Sequence, residues 1–167
     1  MGAYEISSWV AADAAAAWEH ATTSEGIGYE LAPWVYMTLP RGRSEREVRA
    51  VLSGRIPVPN HLGRCWLLLL GVFPFEYDDL RIVRVEPGKS FTKRSIMGSM
   101  ERWQHHRSVE PGEAGGSSVT DRLAWETRWF VPDAIVDVVV RALFGHRHRR
   151  LRKKFGDDAP KAKPGPG

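Results

Sequence analysis

The chain has 167 residues, 43% hydrophobic and 26% charged. That is enough for one sizeable core and the ordinary composition of a soluble globular domain. A single cysteine, Cys65, excludes an internal disulfide and a cysteine-based zinc site. The net charge of +4 is concentrated near the end. Without the six basic residues of Arg147 to Lys154, Lys161, Lys163, Asp157 and Asp158, positions 1–145 hold 16 basic against 18 acidic residues.

The opening residues have no basic segment followed by an apolar run, so no signal peptide is expected. Cys65 to Phe75, the longest apolar run, is far short of the ~20 residues that span a bilayer. A cytoplasmic protein is expected.

Tyr4 to Val10 is a first strand by alternation, with Tyr4, Ile6 and Ser8 on one face. Asp13 caps an alanine-rich helix. A second short helix follows through Glu25 to Leu31, weakened by Gly26 and Gly28 and ended by Ala32-Pro33. Trp34 to Leu39 is the next strand. In Pro40 to Gly63, Ser44 and Glu47 have capping-box spacing ahead of Val48, Val51 and Leu52. This stretch is either a surface connection or a lid over a pocket.

From Arg64 on, the pattern is strand and turn. Cys65 to Val72 is apolar on both faces and reads as a central strand, with a bend at Pro74. Leu80 to Glu86 and Ser90 to Met97 are joined by the turn Pro87-Gly88-Lys89. Met100 to Val109 and Ser117 to Thr127 flank a loop from Glu110 to Gly116.

Pairing Trp103 with Trp125 sets His105 opposite Leu123, Arg107 opposite Asp121 and Val109 opposite Val119, all on the more apolar face. The Arg107–Asp121 pair then either holds the register or forms a polar spot in a pocket. A one-residue slip would exchange the faces.

The last helix runs from Pro132 to Phe155. Asp133 suits its start, a basic cluster its end, and Gly156 the position after it. Val136, Val140, Leu143, Phe144, Leu151 and Phe155 form one stripe. Arg147 falls inside this stripe and Gly145 interrupts it. A charge and a notch on the inward side point to a cavity. The run HRHRRLRKK is either a solvated, dipole-favoured face or a weak contact for an acidic membrane surface. It has no interleaved aromatics for nucleic acid. After Gly156 the chain is too rich in Pro, Gly and charge to fold, which leaves 1–156 as a single domain and 157–167 as a disordered tail.

Neither His105-His106, on opposite strand faces, nor His146 and His148, on different helix faces, has metal-site spacing. No nucleophile elbow or phosphate loop is present, and no cofactor is expected. Cys65 reads as an inert core thiol.

Three stretches carry a resemblance: YEISSWVAADAAAAWEHAT, the pair RWQHHRSVEP and SSVTDRLAWE, and the ending ALFGHRHRRLRKKFG. With the element order they resemble the START/SRPBCC helix-grip superfamily, which includes polyketide cyclase/dehydrase-like proteins, and in particular its small bacterial single-domain members. The resemblance implies an α+β fold: a curved seven-stranded antiparallel sheet around a long C-terminal helix, with two short helices after the first strand. It also implies an apolar cavity between sheet and helix that holds a small hydrophobic ligand, with no catalytic signature to transfer.

The expected ligand-binding residues on the sheet are Trp103, His105, Arg107, Asp121, Leu123 and Trp125. On the helix they are Val140, Leu143, Phe144 and Arg147. The alternative is a cyclase, aromatase or dehydratase, with His105 as general base and Arg107 steadying an oxyanion.

Overall fold

The computed structural model describes residues 1–112 and 115–157. Its elements are β1 (Gly2–Val10), α1 (Ala14–Ala21), α2 (Ser24–Leu31), β2 (Val35–Met37), α3 (Glu45–Leu52), β3 (Asn60–Leu69), β4 (Phe73–Glu86), β5 (Ser90–Met97), β6 (Met100–Pro111), β7 (Ser117–Thr127) and α4 (Asp133–Phe155). The strands form one antiparallel sheet in the order β1-β7-β6-β5-β4-β3-β2. It curls into a half-barrel whose concave face holds α4, which is the helix-grip arrangement.

Local chemistry explains the ends of the helices. Asp13 Oδ1 accepts from the Ala16 N–H at 2.7 Å, and Thr23 caps α2 through Gly26. Ser44 and Glu47 form the full reciprocal box at the start of α3. Gly26 lies in the first turn of α2, packed against the end of α1, and a Cβ there would lie 1.8 Å from the His20 carbonyl oxygen. No larger residue fits that corner.

The β6–β7 register is the one the tryptophans predict: Trp103↔Trp125, His105↔Leu123, Arg107↔Asp121 and Val109↔Val119. Three other expectations need correction. Cys65 to Val72 is not a central strand: β3 ends at Leu69 and lies next to the short edge strand β2. Leu70 and Gly71 take positive φ, which turns the chain into β4. The run is apolar on both sides because Leu67 and Leu69 line a cavity while Trp66 stands 45% exposed on the outer face.

The bend expected at Pro74 is present: this proline lies within β4, beside a register shift that leaves Phe75 unpaired. Gly145 is not a notch against the sheet, since a Cβ there would meet nothing within 4 Å. The basic run is also only half a solvated face. Arg147 and His148 are buried, the Arg150 guanidinium lies 4.0 Å from the centre of the Tyr29 ring, and Arg152 donates to Ser8 Oγ.

The proposed tail beyond Asp157 lies outside the described residues. Among the described residues no helix is long and apolar enough to cross a membrane.

Candidate functional site

A cavity of about 590 Å³ lies between the concave sheet and α4. Its wall is mainly aliphatic and aromatic. Leu80, Ile82, Phe91 and Trp103 come from the sheet, Val136, Val140, Leu143 and Phe144 from α4, and Leu31, Val48 and Leu52 from the short helices. The side chains of α3 close one flank, so the segment between Pro40 and Gly63 does cover the pocket with a short helix. Leu69, Phe75, Ile135 and Val139 both line the cavity and stand 44–58% exposed. They mark its open side, between the β3–β4 end of the sheet and the first turns of α4.

Beyond Phe144 the space between sheet and helix is closed by a buried polar network. Arg107 is fully buried and makes two bidentate pairs. It donates to Glu30 Oε1 and Oε2 at 2.8 and 2.9 Å, and to Asp121 Oδ1 and Oδ2 at 2.7 Å each. Arg147 adds a second cation on Glu30 Oε2. His105 Nε2 lies 2.7 Å from Asp121 Oδ1, and His148 Nε2 3.0 Å from Oδ2. His148 Nδ1 continues the chain to Ser8 Oγ.

Two guanidinium groups thus balance two carboxylates in a space sealed from water. Pairing of this quality is what makes buried charge tolerable. Burial alone would raise the Asp121 carboxyl, but Arg107 and then His105 hold it well below its ordinary range. Burial also opposes ionisation of Glu30, and Arg107 followed by Arg147 keeps it ionised. Burial pushes His105 down to about 4 against the pull of Asp121, so the imidazole is neutral at physiological pH. With Asp121 ionised, His105 Nε2 must donate, which leaves Nδ1 as an acceptor.

A larger concavity, about 850 Å³, lies outside the sheet–helix space, between α1, α2, α3 and the end of α4. Its walls carry exposed charged groups, among them the Arg49–Glu19 pair. It lacks the enclosed apolar lining that small-molecule sites share.

The family model described as "Domain of unknown function (DUF8410)" matches residues 8–155. The chain belongs to the DUF8410 family. No curated protein is significantly similar to it in sequence.

Solved structures similar to this DUF8410 chain include protein CV1439 from Chromobacterium violaceum, at 10% identity and TM-score 0.69, with 95% of this chain and 100% of that one covered. A START superfamily protein from Mycobacterium smegmatis is 12% identical with TM-score 0.65, covering 92% and 96%. The protein XoxI from Bacillus cereus is 13% identical with TM-score 0.62, covering 94% and 97%. At such identities the likeness shows the fold alone, a helix-grip fold shared with that START superfamily protein.

The residues expected to line the site divide into two groups. Trp103, His105, Val140, Leu143, Phe144 and Arg147 do line the cavity. Arg107 and Asp121 do not: they are fully buried in the network, which corrects the picture of an ion pair inside the pocket. The reason is Glu30. The sequence offered no partner for the remaining guanidinium edge, and α2 brings this carboxylate from 77 residues away.

Leu123 and Trp125 also lie behind the wall. They belong to the core cluster around Trp103, whose ring centroid is 6.3 Å from that of Trp125. Nothing in the sequence singled out Glu30, His148, Asp78 and Lys93 as site residues. The last two occupy the concave face of β4 and β5 and line the cavity. Alternation within those strands, anchored on Leu80, Ile82 and Phe91, was the signal that could have found them. Cys65 is fully buried, and burial pushes its thiol up to about 12, as for an inert core residue.

Proposed function

We propose that this protein binds a small, mainly apolar molecule with one polar end in the cavity between sheet and α4. The observation that carries this reading is the enclosed volume of about 590 Å³ with a largely aliphatic and aromatic lining, open on one side. A domain core is normally packed to a density that leaves few voids larger than a water molecule. A space this size bordered by Trp103, Phe91 and Phe144 is of the dimensions and chemistry of a small-molecule pocket.

The test is titration of the full chain with N-phenyl-1-naphthylamine, a neutral apolar fluorophore, alongside mass spectrometry of small molecules released from freshly purified protein by denaturation. Saturable probe binding is expected, lost on Leu143→Trp, which puts an indole into the cavity. Absence of binding, or binding indifferent to Leu143→Trp, would end the proposal.

One observation favours a second reading, an enzyme of the cyclase, aromatase or dehydratase kind. His105 lines the cavity and is backed by the Asp121 carboxylate, an arrangement that fixes the tautomer of a general base. Two features weigh against it. Burial lowers His105 to about 4, which makes it a weak base. Arg107, the expected oxyanion partner, is engaged with Glu30 and Asp121 and does not reach the cavity. Turnover of a polyketide-like substrate, lost in His105→Ala with probe binding retained, would support the enzyme; an unaffected rate would remove it.

A further inference from the structure

The cavity wall carries a polar group separate from the Arg107 network. Asp78 of β4 and Lys93 of β5 line the cavity beside His105 of β6. Lys93 is the direct cross-strand neighbour of His105, and its Nζ donates to Asp78 Oδ2 at 2.6 Å. Asp78 is 1% exposed, yet its other oxygen, Oδ1, has no hydrogen-bond partner among the described residues. A buried carboxylate oxygen without a donor is costly and calls for an explanation.

The nearby Glu76 makes the contrast. It lines the same cavity, but its oxygens accept from the N–H groups of Tyr77, Gly98 and Ser99 and from the Ser99 hydroxyl. Glu76 is saturated, whereas Asp78 is half-satisfied. Lys93 has three N–H groups, and its one side-chain partner among the described residues is Asp78.

The charges on this wall decide what fits. Lys93 is neutralised by Asp78 and Arg147 by Glu30, while His105 is neutral. A carboxylate or phosphate head would be buried beside Asp78 with no cation left to balance it. An ammonium head would meet Lys93. A hydroxyl fits both neighbours: its oxygen accepts an N–H of Lys93 while its proton goes to Asp78 Oδ1. We infer that the cavity takes an apolar molecule bearing a neutral hydroxyl, an alcohol or a phenol, whose oxygen sits between Lys93 and Asp78. This rests on the reading of the cavity as a binding site and names the chemistry of its polar end.

The experiment is displacement of bound N-phenyl-1-naphthylamine from the full chain by 1-decanol, methyl decyl ether and decanoate at neutral pH. The alcohol should displace the probe at a concentration roughly tenfold lower than the ether, the worth of one hydrogen bond to a charged group, and lower still than decanoate. Asp78→Asn leaves Lys93 without its counter-charge, so decanoate should gain on the alcohol.

The paired replacement Asp78→Leu with Lys93→Met removes both charges together, a change that a fold tolerates better than loss of one. It should bring the alcohol-to-ether ratio close to one. Equal displacement by alcohol and ether in the unaltered protein, preference for decanoate, or an undiminished alcohol preference in the double variant would overturn the hydroxyl assignment while the cavity reading stands. Failure of the probe itself to bind would remove the cavity reading and this inference with it.

Discussion

The two halves of α4 face opposite solutions to the same geometric problem. A curled sheet and a straight helix diverge along the helix, and the gap must be filled or left open. At the C-terminal half it is filled. Arg147 pairs with Glu30, His148 meets Asp121 and Ser8, and Leu151 packs with Val10, Val109 and Val119. At the N-terminal half Val136, Val140, Leu143 and Phe144 border a cavity that opens between half-exposed apolar residues. Arg147 belongs to both, lining the cavity while paired to Glu30. The comparison teaches that polar groups need not mark the hollow in a fold. In this molecule the densest set of buried charges braces the helix, and the hollow beside it has only a thin polar fringe.

The sharpest way to break this comparison is Arg107→Met. It leaves Glu30 and Asp121 buried without their shared cation, and one-sided removal of a buried ion-pair partner costs about 3–5 kcal/mol. Urea unfolding should show that loss. A cost below about 1 kcal/mol would mean the network does not brace the fold.

Acid should act next, and also at the filled end. His105 is held near 4 in the folded protein, against an ordinary value near 6.5 in the unfolded chain. The unfolded state therefore binds more protons between those limits, and stability falls as pH drops from about 6.5 to 4. The contribution of His105 is on the order of 3 kcal/mol. His20, also lowered to about 4 by burial, acts in the same direction and window. Below about pH 4, protonation of Glu30 and Asp121, both lowered by their arginines, removes more. Unfolding midpoints measured at pH 7, 5.5 and 4 would follow this decline, and His105→Gln should flatten its upper part.

The hollow end predicts a different split. Leu143→Trp should cost less than about 1.5 kcal/mol, since the added ring has space rather than a packed wall, while probe binding falls by tenfold or more. A large destabilisation would mean the cavity is tighter than its volume implies. The smallest effect belongs to Gly145→Ala. With nothing within 4 Å of the new Cβ, the helix should gain up to about 1 kcal/mol, read as a rise in the thermal midpoint with binding unchanged.

Much of the frame was legible in the residues alone. Setting Trp103 opposite Trp125 across the strands Met100 to Val109 and Ser117 to Thr127 predicted the hairpin register residue by residue. Asp13 and the Ser44/Glu47 pair announced their helices, and Val136, Val140 and Phe144 marked the inward face of α4. These signals are local: a cap, a turn or an alternating strand involves residues a few positions apart, and the chemistry that shapes them is written side by side.

What only the tertiary structure decided was the division of the polar residues between brace and cavity. Glu30 lies in a short helix with no distinguishing motif, and only the packing of α2 on α4 carries it to Arg107 and Arg147. Alternation can put Asp78 and Lys93 on the inner face of their strands, but only the pairing of β4 with β5 joins Lys93 Nζ to Asp78. A buried charge finds its partner through space rather than along the chain, so its role follows from the closed fold and not from its neighbours in sequence.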